Sequence, residues 1–91
     1  MVEAKLYIDY ESGLHARPAA LFVQVASKFS SQILIQKGNK EVNAKSVMGV
    51  MSLNITDGDE IVIKIDGDDE IEAMEAMKRL LYSDLNYESN T

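Results

Sequence analysis

The chain has no cysteine and no tryptophan, and its 91 residues hold one proline and one histidine. Without cysteine there is no disulfide framework and no thiolate metal ligand. One histidine does not make a zinc site. Arginine is nearly as scarce, with only Arg17 and Arg79. Acidic residues outnumber basic ones by 15 to 9, for a formal net charge of −6. Such a chain does not suit nucleic acid or an anionic membrane, both of which select basic surfaces. Long apolar runs are missing as well. Nothing approaches the ~18 residues of a spanning helix, and no N-terminal stretch reads as a signal peptide, which predicts a soluble, cytoplasmic protein. There is no glycine-rich nucleotide loop, so no cofactor is expected. Asp57-Gly58-Asp59 and Asp66-Gly67-Asp68-Asp69 lack the ligand spacing of an EF-hand and read as turns and caps.

What is present suits one small globular domain spanning 1–91, with 82–91 as a polar tail that frays. Hydrophobic residues make up 46% of the chain, enough for a modest core. Val2, Ala4, Leu6 and Ile8 alternate with Glu3, Lys5, Tyr7 and Asp9, the pattern of a half-buried strand. A helix is predicted from about Ala16 to Lys28, with Ala19, Phe22, Val23, Ala26 and Phe29 as its apolar stripe. Ala20 and Gln24 lie off that stripe. Gln32 to Lys37 and Lys40 to Asn43 read as a hairpin about Gly38-Asn39. Val47 to Leu53 reads as a short helix and Glu60 to Asp66 as a β-branched strand. A last helix follows the acidic turn, with Ile71, Met74, Met77 or Lys78, Leu81 and Leu85 at helical spacing. The order is β-α-β-β-α-β-α, which predicts an α+β sheet with helices on one face.

Two segments carry candidate chemistry. In Ser12-Gly13-Leu14-His15-Ala16-Arg17-Pro18, a glycine turn leads into a helix whose first turn tolerates proline. His15 then falls at or beside the N-cap, over unpaired amides and the positive end of a helix dipole. That setting binds anions and favours a neutral imidazole, which has a nucleophilic lone pair. Arg17 adds a guanidinium suited to phosphate oxygens. An exposed histidine without a role is the alternative that spacing leaves open. No acid is placed to complete a Ser12–His15 triad. In the second segment, Ser46 fits an N-cap ahead of Val47-Met48-Gly49-Val50-Met51. It is either that alone or a modification site. Val47, Met48 and Met51 are either core or an adaptable exposed surface. If the two segments adjoin, Arg17 and Lys45 form a small positive island that steers acidic partners.

Gly13-Leu14-His15-Ala16-Arg17-Pro18-Ala19 resembles the active-site signature of HPr, the histidine-containing phosphocarrier of the bacterial phosphoenolpyruvate:sugar phosphotransferase system. Asn43 to Leu53 resembles the regulatory-serine signature of its low-GC Gram-positive members. The resemblance runs from Met1 to about Leu81. It implies an open-faced β-sandwich, with an antiparallel sheet in the order 1-4-2-3 and three helices on one face. It implies that His15 takes phosphate from phospho-enzyme I, on Nδ1, and passes it to enzyme IIA domains. Arg17 and the amide near Ala16 would stabilise that phosphate. It further implies phosphorylation of Ser46 by HPr kinase/phosphorylase and recognition of that form by a catabolite-control transcription factor. Ala20, Gln24, Val47, Met48 and Met51 would meet these partners. The chain would be a monomeric carrier rather than an enzyme. The runner-up is a regulatory HPr-like protein that signals through Ser46 only; such relatives lack the histidine. A small acylphosphatase-like hydrolase is the third reading.

Overall fold

The computed structural model describes residues 1–8 and 16–81, with 16–18 as backbone only. The elements are β1 (Val2–Tyr7), α1 (Ala16–Ala26), β2 (Gln32–Lys37), β3 (Lys40–Asn43), α2 (Val47–Ser52), β4 (Glu60–Asp66) and α3 (Glu70–Arg79). The four strands form one antiparallel sheet in the order β1-β4-β2-β3.

Register follows from the period of two. Ile61, Ile63 and Ile65 of β4 face Leu6, Ala4 and Val2 of β1, and Ile63 and Ile65 also face Ile35 and Ile33 of β2. These five isoleucines are fully buried, under Phe22 of α1, Val50 of α2 and Met77 of α3. Each contributes roughly 1.5–3 kcal/mol, and a register slip of one residue would turn the whole row into solvent. The opposite face carries ion pairs instead, Lys64 with Glu41 at 2.9 Å and Lys5 with Glu60 at 3.9 Å.

Ala19, Phe22, Val23 and Ala26 are buried as the stripe predicts, and Phe29 packs partly against the same core. The first helix stops at Ala26 rather than Lys28. There Lys28 N–H donates to Val25 O and Phe29 N–H to Ala26 O, the tighter bonds that end many helices. The second helix likewise stops one residue early, and Leu53 N–H turns back to Val50 O.

The last helix departs from its predicted face. Ile71 is 54% exposed, while Ala73, Met74, Met77, Leu80 and Leu81 are buried. Met77, not Lys78, takes the contested position. Leu85 and the tail 82–91 lie outside the described residues.

The turn before this helix also differs. Asp69 is the N-cap of α3 but makes no side-chain bond to the helix. Its carboxylate instead accepts the amides of Ser30, at 2.9 Å, and Ser31, at 3.0 Å, and the hydroxyl of each. The Ser31 hydroxyl, mainly, and the Ser30 amide hold the Asp69 carboxyl down at about 2. The end of the first helix's loop is thereby tied to the start of the third helix.

Candidate functional site

α1 begins at Ala16, the residue next to the chain's one histidine. Its first amides therefore have no helical partner beside that position. The eleven residues of α1 supply a full helix dipole pointing there. His15 itself lies outside the described residues, and Ala16 and Arg17 are placed as backbone in the first helical turn. Ala20 and Gln24, one and two turns further, are exposed and share a helix face. They line a shallow groove with Leu21, Val23 and Ser27.

α1 packs on α2, where the second candidate residue sits. Ser46 has extended backbone angles, φ −116° and ψ 116°, and its Oγ accepts the Gly49 amide at 3.1 Å. This is an N-cap. Asn43 sets the turn into it: its carbonyl accepts the Ser46 amide at 3.1 Å, and its side chain accepts the Lys45 amide at 2.8 Å. Gly49 lets the cap close. A Cβ there would lie 3.3 Å from both Ser46 Cβ and Oγ. Of α2, only Val50 is buried, so Val47, Met48 and Met51 present apolar side chains to solvent together. The open choice between core and surface is resolved toward surface.

Of the expected positive island only the Lys45 half is placed, because the Arg17 side chain lies outside the described residues. Lys45 Nζ donates to Phe29 O at 2.7 Å, beyond the C-terminal end of α1. With ~1.5 Å of rise per residue, that end lies about 15 Å from Ala16. Lys45 thus holds one carbonyl just past the end of α1, whereas the Arg17 backbone stands in the first turn at the other end.

Other contacts were invisible in the sequence. α2 has no basic residue in its last turn, yet its C-terminal end is held by lysines from the β2–β3 hairpin. Lys37 Nζ donates to Asn54 O at 2.8 Å and Lys40 Nζ to Ser52 O at 3.4 Å. Asn54 leaves the helix at φ 52°, a left-handed angle that Asn tolerates better than most residues. Lys37 also pairs with Asp59 at 2.8 Å. That ammonium, with the Thr56 amide, keeps the Asp59 carboxyl below the usual carboxylate range. The same turn grips the end of β1: Gly58 N–H donates to Ile8 O at 2.7 Å and Ile8 N–H to Asp59 O at 2.8 Å. No local pattern announces bonds between segments this far apart in the chain.

Among the described residues no group of His, Cys, Asp and Glu side chains could hold a metal, and no helix is long and apolar enough to cross a membrane. A four-stranded antiparallel sheet covered by three helices, with a capped serine beside an exposed apolar patch, defines an open-faced β-sandwich. The family model described as "PTS HPr component phosphorylation site" matches residues 2–83, and the chain belongs to this HPr phosphocarrier family. It is 54% identical, over 85% of its length and 92% of the relative's, to the HPr-like protein Crh of Halalkalibacterium halodurans. Its fold matches the crystal structure of HPr-C-His from Thermoanaerobacter tengcongensis with TM-score 0.90 and 54% identity, over 93% of this chain and 96% of that one. A phosphocarrier protein HPr from Bacillus anthracis superposes with TM-score 0.85 and 48% identity, over 88% and 95%.

Proposed function

We propose that this protein carries phosphate on His15 within the sugar phosphotransferase system, and that Ser46 is its regulatory site. The observation that carries the reading is the start of α1 at Ala16, immediately after the one histidine of a family-matched chain. A neutral imidazole attacks the phosphoryl group of phospho-enzyme I; the bond from phosphorus to enzyme I breaks, enzyme I departs, and an N–P bond forms on the imidazole. Its new negative charge meets the unpaired amides of the helix start and the guanidinium of Arg17. The phosphoryl group then moves on to an enzyme IIA domain. The chain acts as a carrier, since the phosphate rests on the protein and no small substrate is turned over.

Ser46 serves control. A phosphate there sits at an N-cap and is accommodated without refolding. It adds roughly −1.5 to −2 charge next to the exposed Val47, Met48 and Met51, and so weakens docking of acidic partners. HPr kinase/phosphorylase would install it, and a catabolite-control transcription factor would read it. Ala20 and Gln24 extend the docking face along α1.

A second reading is favoured by the 54% identity to a protein described as Crh: signalling through Ser46 alone. One experiment separates the two. Incubation with phosphoenolpyruvate and enzyme I should give an acid-labile phosphate adduct that maps to His15 and is absent from His15→Ala. An unlabelled wild-type chain that the Ser46 kinase still phosphorylates would establish the second reading instead.

A further inference from the structure

α2 spends two of the chain's five methionines on a six-residue helix. Met48 is 80% exposed and Met51 42%, whereas Met74 and Met77 of α3 are 7% and 0% exposed. Met1 is exposed too, but its amino group pairs with Asp66 and Glu70, at the far end of the β4 strand from the turn that follows α2. Apart from the exposed terminal Met1, the methionine side chains thus divide into a protected pair in the core and an open pair beside Ser46.

A thioether on a docking surface is useful because it is apolar and conformationally adaptable. The same exposure makes it oxidisable, and the sulfoxide is polar and chiral. From this we infer that α2 is an oxidation-sensitive docking helix, modified at Met48 and Met51 by hydroperoxides. The sulfur lone pair attacks one peroxide oxygen. An S–O bond forms and the O–O bond breaks. The departing oxygen takes up the proton and leaves as an alcohol, or as water from hydrogen peroxide. Sulfur is oxidised by two electrons and the peroxide is reduced by two. The fold tolerates the change, because neither side chain is part of the buried core. The surface does not tolerate it: a partner that buried two thioethers must now desolvate two S=O dipoles without hydrogen-bond partners built for them. Methionine sulfoxide reductases would restore the original surface. The inference rests on the carrier reading, since it concerns how partners meet the same face.

The test treats the full chain with graded hydrogen peroxide, maps each methionine by mass spectrometry, and measures KM for this chain as acceptor from phospho-enzyme I. Met48 should oxidise first and Met51 next on α2, with Met74 and Met77 spared while circular dichroism stays unchanged. KM should rise about tenfold and fall back after sulfoxide reductase treatment. In the Met48→Leu, Met51→Leu double variant, which keeps Met1, Met74 and Met77, KM should be the same before and after peroxide. Oxidation of Met74 or Met77 ahead of Met48 would overturn the inference. So would an unchanged wild-type KM after Met48 is converted, or a double variant as sensitive as the wild type. In each of these cases the carrier reading stands. An unoxidised chain that accepts no phosphate overturns that reading and this inference with it.

Discussion

Asp69 and Ser31 are 38 residues apart in sequence, yet the aspartate carboxylate accepts both the amide and the hydroxyl of the serine. Ser31 is buried, so this carboxylate satisfies polar groups that the core would otherwise strand. The Asp69 carboxyl titrates at about 2 rather than at the ordinary 3.8. A depressed carboxyl contributes stability that is complete above its unfolded value and is lost as pH falls through its folded one. The urea midpoint of the wild type should therefore fall steeply between about pH 4 and about pH 2. Asp69→Asn should start lower at neutral pH and show a shallower acid decline. Parallel declines in the two proteins would mean that this carboxylate is not the linked group.

Gly67 explains how the two segments come so close. At φ 156° it adopts an angle that side-chain-bearing residues avoid, and a Cβ there would lie 2.7 Å from Ser31 Cα. Gly67→Ala should cost about 2–4 kcal/mol, from a close approach that has to open and a strained backbone. Because the obstacle includes Ser31 backbone, Ser31→Ala should not rescue it. Chemical denaturation of the single and double variants checks this.

Which features were legible from sequence follows from the range of the forces behind them. The alternation in Val2–Ile8 and Glu60–Asp66 and the spacing of Ala19, Phe22, Val23 and Ala26 mark faces that a strand or helix must bury, so those elements fall where periodicity puts them. Ser46 as an N-cap is a local matter of three residues. The bonds of Asp69 to Ser30 and Ser31, of Lys45 to Phe29 and of Lys37 to Asn54 are tertiary. A polar side chain at a turn can serve its own helix or another segment with nearly equal local chemistry, and only the folded chain selects. The sheet order had to come from a family resemblance for the same reason: alternation identifies a buried face but not the neighbouring strand.

The last helix gives a direct contrast between pattern and packing. Ile71 fits the helical spacing yet stands exposed, while Met77 is fully buried. Met77→Ala should lower stability by about 2–5 kcal/mol, by lost transfer energy and a residual cavity. Ile71→Ala should change it by less than about 0.5 kcal/mol. Thermal or urea unfolding distinguishes the two, and a large effect at Ile71 would place it in the core after all.

Ser46 allows the cap to be separated from the signal. Its Oγ accepts the Gly49 amide, so Ser46→Ala should cost about 1 kcal/mol of stability and abolish incorporation by the serine kinase. Aspartate is itself a good N-cap and its charge suits a helix N-terminus. Ser46→Asp should therefore retain near wild-type stability. It should nonetheless slow phosphoryl transfer from enzyme I to His15, because the added negative charge adjoins Val47, Met48 and Met51 on the proposed docking face. If both variants transferred phosphate at the wild-type rate, charge at Ser46 would not act on docking. If Ser46→Asp were slow only because it unfolded, its urea midpoint would fall below that of Ser46→Ala. Measuring transfer rate and unfolding midpoint on the same three proteins tells these cases apart: a slow rate with an intact midpoint assigns the effect to electrostatics on the surface of α2.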